Sequence, residues 1–146
     1  MKLSTKGRYG ARAGLELALR YNSGPVMVRE IAASQDISMR YLEHILNSLR
    51  SSGIVKSTRG AKGGYELSKS PADISLGDIV RTLEGPLDIV SCTSDMDCPK
   101  ISQCVMHYVW KEVKESMETI LDRITLEDLV EKHKALNGST SLEFNI

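Results

Sequence analysis

The chain has 146 residues, 41% of them apolar, a size that fits one compact domain or one domain with an added arm. No stretch approaches the roughly 18 apolar residues of a membrane span, and no apolar segment follows the basic start, so neither a membrane protein nor an exported one is expected, and the expected location is the cytoplasm. The formal charge of zero hides a division, because residues 1–70 carry 12 Lys and Arg against 5 Asp and Glu, whereas residues 71–146 carry 7 against 14; the first half suits a polyanion and the second does not.

Helical spacing dominates the chain. Residues 4–21 place Ala11, Leu15, Ala18 and Leu19 on one face, and Asn22-Ser23-Gly24-Pro25 stops the helix. A short helix over 28–34 carries Val28, Ile31 and Ala32. After the turn Gln35-Asp36-Ile37, Ser38 is placed as the N-cap of a helix from 39 to about 51, with Ile37 set to staple against Leu42 and Gly53 as the stop. Two short helices joined by a few residues predict a helix-turn-helix. Ile54-Val55-Lys56-Ser57-Thr58 and Tyr65-Glu66-Leu67 read as strands flanking Arg59-Gly60-Ala61-Lys62-Gly63-Gly64, which makes a hairpin wing.

Beyond Pro71 the pattern changes. Ser75 caps a helix bearing Leu76, Ile79, Val80 and Leu83 that ends at Gly85-Pro86. A loop of about fifteen residues follows, long enough to be functional. A long helix over about 101–123 then carries the stripe Val109, Val113, Met117, Ile120, Leu121 and Ile124, and Thr125 caps a last helix with Leu126, Leu129, Val130 and Leu136. Asn137-Gly138-Ser139 opens a polar tail. The predicted fold is mainly α, a winged helix-turn-helix with a small β-hairpin wing and a long C-terminal helix. It divides into a DNA-binding region at 1–72, a cysteine loop with the helices that follow it at 73–137, and a tail at 138–146.

In the helix from 39 to 51, Leu42, Ile45, Leu46 and Leu49 form the core stripe, and Arg40, Glu43, His44 and Asn47 share the opposite face. Arg and Asn pair with guanine and adenine edges, and a carboxylate such as Glu43 is tolerated near phosphate where it accepts from a cytosine amine. In the wing, Arg59 and Lys62 stand among three glycines, including Gly63, that let backbone approach a groove closely. Lys2, Lys6, Arg8 and Arg12 are placed to hold phosphates. Tyr9 either joins them or packs beneath the wing.

The three cysteines fall in one pattern, Cys92-x5-Cys98-x5-Cys104-x2-His107. Cys104 and His107 are three apart and share a helical face, while Cys92 and Cys98 come from the loop, which Asp95, Asp97 and Pro99 keep polar and extended. Three thiolates and an imidazole suit tetrahedral zinc or a 2Fe–2S cluster. Both cysteine gaps are wider than the two to four residues of a zinc knuckle, which favours the larger object; a thiol redox switch stays open. No phosphate-cradling glycine loop, nucleophile–base pair or paired catalytic carboxylates occur, so no enzyme is expected. An electron carrier would have no use for a basic wing and a polar recognition face.

The opening Lys2-Leu3-Ser4-Thr5-Lys6-Gly7-Arg8-Tyr9-Gly10, the run Ser38-x-x-Tyr41-Leu42-Glu43, the wing Arg59-Gly60-x-x-Gly63-Gly64-Tyr65 and the cysteine–histidine run together resemble the IscR family of iron–sulfur cluster regulators, over roughly residues 1–130. The resemblance implies a homodimer that binds a roughly palindromic DNA duplex, regulates genes such as those of cluster assembly, and carries a 2Fe–2S cluster on Cys92, Cys98, Cys104 and His107. It adds Ser38 and Tyr41 to the expected DNA-contacting residues, assigns dimerisation to the long helix, and gives an acidic residue at position 43 a part in discriminating between DNA sites. The tail from Asn137 matches nothing in the family.

Overall fold

The computed structural model describes residues 2–94 and 98–144. Among these residues are six α-helices and one antiparallel hairpin: α1 (Thr5–Leu19), α2 (Val28–Gln35), α3 (Met39–Ser51), β1 (Val55–Thr58), β2 (Gly64–Leu67), α4 (Leu76–Glu84), α5 (Val105–Arg123) and α6 (Leu126–Phe144). Short 3-10 turns lie at Pro71–Asp73, Ser91–Thr93 and Ile101–Gln103.

The predicted caps set the helix starts. Ser38 Oγ accepts from the Tyr41 amide at 3.3 Å and opens α3. Ser75 and Asp78 exchange bonds of 3.0 Å in each direction at the head of α4. Thr125 and Asp128 do the same at the head of α6, at 3.0 and 3.1 Å. Each such box satisfies two amides that a helix leaves unpaired. The heads of α4 and α6 are themselves tied together, because Leu76 N–H donates to the Ile124 carbonyl at 2.7 Å and Leu126 N–H to that of Ile74 at 2.9 Å.

The core forms where the apolar stripes meet. Leu42, Ile45, Leu46 and Leu49 of α3 are fully buried, packed in one cluster with Ala13 and Leu17 of α1, Ile31 of α2, Val55 and Leu67 of the hairpin, and Ile37 from the turn. Each of the buried leucine, isoleucine and valine side chains stabilises the fold by about 1.5–3 kcal/mol. The cluster is continuous across residue 72, since Ile74, Ile79, Leu83 and Leu126 belong to it. Helix α1 lies close against α4: a methyl group on Gly7, Gly10 or Gly14 would run into the side chains of Glu84, Leu83 or Ile79.

Three features differ from the sequence reading. Helix α5 begins at Val105, because residues 101–103 form a 3-10 turn and Cys104 is extended (φ −91°, ψ 108°) as its N-cap. Helix α6 continues through the expected tail to Phe144. Gly138 stops a helix only by taking a left-handed conformation, and it is absent from the positive-φ glycines; no proline follows to break the run. A third extended segment joins the hairpin, where Val26 exchanges two 2.8 Å backbone bonds with Tyr65. Gly64 is required at this junction because a Cβ there would meet the Val26 backbone.

Candidate functional site

The structure brings the predicted recognition residues together. Ser38, Arg40, Tyr41, Glu43, His44 and Asn47 line one open concavity along α3. All but the half-buried Tyr41 are exposed, because the leucine–isoleucine stripe holds the opposite side of the helix in the core. The Asn47 amide oxygen accepts from the Tyr65 hydroxyl at 3.4 Å, and Arg50 Nη1 reaches Ser57 Oγ at 3.4 Å, so two contacts set the wing's base against the recognition helix. Arg59 and Lys62 are exposed at the tip. Gly63 donates its amide to the Gly60 carbonyl at 3.0 Å, and a Cβ at Gly63 would strike the Thr58 carbonyl. The tight tip is therefore built for glycine, whatever it touches.

The basic arm is organised by contacts distant in sequence. Lys2, Ser4 and Arg8 line an open groove at the head of α1, while Lys6 is half-buried. Arg8 Nη2 donates to Thr5 Oγ1 at 3.2 Å. Tyr9 does not lie beneath the wing. Its ring meets that of Tyr41 edge-on at 6.0 Å, with the Arg12 guanidinium 5.3 Å from its centroid. Arg12 also donates to the Gln35 side chain at 3.1 Å and to the Gln35 carbonyl. Tyr9 and Arg12 thus brace α3 and the turn that feeds it. Buried Glu16 completes this brace, accepting from Ser34 and Gln35 at 3.0 Å and pairing with Arg20 at 2.9 Å. The i,i+4 spacing of Glu16 and Arg20 is visible in the sequence, but the bonds from Ser34 and Gln35 are not, because those two partners lie on α2.

The four predicted ligands occupy the junction between the loop and α5. Cys92 lies half-buried in the turn Ser91–Thr93, which packs on α5, and Cys98 is exposed. Cys104 is half-buried at the N-cap of α5, and His107 is the third residue of that helix. Asp95 and Asp97 lie outside the described residues. All three thiols are free. Among the described residues no group of three or more His, Cys, Asp or Glu stands close enough to hold a metal ion. His107 is nevertheless unusual: it is 8% exposed, and its Nδ1 atom is buried without a hydrogen-bond partner. An unpaired buried nitrogen costs about 1–3 kcal/mol.

The Cys92 turn is clamped. Lys114 Nζ lies 2.6 Å from Asp88 Oδ1 and 3.3 Å from the Thr93 carbonyl, and Thr93 Oγ1 donates to Asp88 at 3.2 Å. The bond from Lys114, against a smaller opposing effect of burial, holds the Asp88 carboxyl below its ordinary value of 3.8. Spacing could not have found this clamp, since Asp88 and Lys114 are 26 residues apart.

A helix-turn-helix followed by a wing, with a polar face on the second helix and cations at the tip, defines a DNA-binding regulator. The chain belongs to the Rrf2 family, described as iron-dependent transcriptional regulators, whose pattern matches residues 3–132. It is 42% identical to the HTH-type transcriptional regulator CymR of Bacillus subtilis, over 88% of this chain and 89% of that protein. It is 35% identical to IscR of Klebsiella pneumoniae, over 95% of this chain and 85% of that one. Among solved structures, CymR, the global cysteine regulator of B. subtilis, superposes with a TM-score of 0.76 at 40% identity, covering 90% of this chain and 98% of the other. T. potens IscR superposes at 0.77 and 42% identity, covering 93% and 90%. These relatives are transcription regulators and not enzymes, and no described helix is long and apolar enough to cross a membrane.

Proposed function

We propose that this regulator acts as a homodimer whose DNA binding responds to a 2Fe–2S cluster held by Cys92, Cys98, Cys104 and His107. The observation that carries the reading is the His107 Nδ1 atom, buried and unpartnered three residues after Cys104 at the start of α5. A buried imidazole with an unpaired ring nitrogen, three residues after a cysteine, offers the kind of donor that a metal site uses. The donor set fits a cluster in its chemistry, although the four donors are not gathered: Cys98 is exposed and sits on the loop that would have to close. Bound there, a cluster supplies a marker of iron and sulfide supply that can be gained and lost. The family's description as iron-dependent supports the same reading.

The chain's own residues would do the rest. Ligation at Cys92 would bear on its turn, which the Asp88–Lys114 clamp ties to α5. Helix α5 turns Val105, Met106, Tyr108, Val109, Val113 and Ile120 to solvent, and Val105 is 74% exposed. This face suits a second copy of the helix, and two copies would present two recognition helices to a two-fold symmetric operator. In each half-site Arg40, Glu43, His44 and Asn47 read base edges, and Ser38 and Tyr41 stand at the end of α3 nearest the backbone. Arg59, Lys62 and Gly63 lie along the neighbouring groove, and Lys2, Lys6, Arg8 and Tyr9 sit toward the phosphates.

A second reading is thiol sensing by the same fold. It is favoured by the exposure of Cys98, by the three free thiols, and by the similarity to a cysteine regulator. Iron and sulfide analysis of anaerobically purified protein, with a visible spectrum, separates the two. Two irons and two sulfides per chain with visible absorbance are expected, and both should disappear in His107→Ala combined with Cys104→Ala. Colourless, iron-free protein after reconstitution would favour the thiol sensor.

A further inference from the structure

The head of α1 is not capped by its own residues alone. Glu84, the last residue of α4, places Oε1 within 3.1 Å of the amides of Ser4 and Gly7 and also accepts from the Ser4 hydroxyl. Three donors converge on one carboxylate oxygen, two from Ser4, 80 positions away, and one from Gly7, 77 positions away. The packing is close enough that a Cβ at Gly7 would collide with the Glu84 side chain. A carboxylate belongs electrostatically at a helix N-terminus, where amides point outward and the dipole is positive. It also takes the donors that a DNA phosphate would otherwise seek there. The arm must therefore meet phosphate through Lys2 and Arg8 beside the helix head.

The other end of the same segment is held as well. After Glu84 the chain runs through Gly85, Pro86 and buried Leu87 to Asp88, whose carboxylate is fixed by Lys114 of α5 and by Thr93, the neighbour of Cys92. Proline and a buried leucine leave this three-residue link little slack. The pin on the arm and the pin on the cysteine turn are thus two ends of one short strut.

We infer that Glu84 is a positioning residue for DNA binding, coupling the arm at the head of α1 to the cysteine turn through the strut 84–88. This rests on the proposal that the arm holds phosphate, but not on the identity of any group bound by the cysteines.

The test uses the full chain and a duplex selected by the protein from random sequence. Glu84→Ala should weaken binding about fivefold, the loss expected for one helix cap converted to affinity, on selected and unrelated duplexes alike. Glu84→Gln, which keeps an acceptor oxygen and removes the charge beside Lys2 and Arg8, should bind as well as wild type or better. Amide exchange at Ser4 and Gly7 should speed up in Glu84→Ala. It should also speed up in Lys114→Met, which touches neither residue, and this is the readout that a merely local cap would not move. Unchanged exchange at Ser4 and Gly7 in Lys114→Met would overturn the coupling. Equal weakening by Gln and Ala would overturn the capping role. Lys2→Ala with Arg8→Ala is the control on the underlying reading: if it leaves affinity unchanged, the arm does not hold phosphate, and the exchange data alone decide the coupling.

Discussion

Helices α3 and α5 show how differently one chain can use an amphipathic helix. In α3, thirteen residues long, Leu42, Ile45, Leu46 and Leu49 are fully buried and the polar face is left outside. In α5, nineteen residues long, His107 is the one buried residue, while Val105, Met106, Tyr108, Val109, Val113 and Ile120 stay exposed. The first helix has its apolar partners within the chain. The second carries a comparable apolar stripe that the chain does not cover. A recognition surface needs a rigid support, and the core beneath α3 provides it. A helix that leaves its apolar face open is suited to assembly, and the cysteine junction sits at the end of that helix.

The sharpest way to break this comparison is to charge the open face. Val109→Asp with Val113→Asp should raise the dimer dissociation constant about a thousandfold, because unpaired carboxylates would be buried on association. The isolated chain should lose almost no stability, as both positions are exposed. Sedimentation velocity and thermal melting together check this; an unchanged sedimentation profile would mean that α5 is not the association surface. The same logic on α3 reverses the outcome. Leu46→Ala should cost about 2–5 kcal/mol of stability by opening a cavity in the core, read from denaturant midpoints, without changing association except through unfolding.

Smaller effects sharpen the comparison within each region. Glu43→Ala should lower discrimination at one base pair per half-site by about 1–3 kcal/mol, measured by competition among operator variants at one salt concentration. Equal weakening on every sequence would show that Glu43 does not read bases. The smallest effect concerns the clamp. Since Lys114 depresses the Asp88 pKa, the clamp's contribution is fully present above the ordinary value of 3.8 and is lost as pH falls through the still lower folded value. Amide exchange at Thr93 and Ser94, after correction for its intrinsic pH dependence, should therefore accelerate below about pH 4 in the wild type. In Lys114→Met it should already be fast at pH 6; the same acid response in that variant would show that another group governs the turn.

Much of the architecture was legible because it is local. The stripe in α3, the caps Ser38, Ser75 and Thr125, and the glycine-rich wing tip each depend on residues within four or five positions, and all are found where spacing places them. The shared concavity of Arg40, Glu43, His44 and Asn47 follows from the same period. The start of α5 and the reach of α6 depart from the periodic pattern for a related reason. Helix ends turn on single backbone conformations, and the extended Cys104 and the helical Gly138 carry no periodic signal.

The sequence by itself thus determined which faces are apolar, which are basic, and where thiols and imidazole cluster along the chain. Only the tertiary structure decided what braces them: Tyr9 against Tyr41, Arg12 on Gln35, Val26 pairing with Tyr65, Glu84 at the head of α1, and Lys114 on Asp88. It also decided that His107 is enclosed with a nitrogen unpaired. The reason is physical. Periodicity reports which side of an element avoids water, whereas a hydrogen bond between residues tens of positions apart exists only once packing has brought its donor and acceptor together.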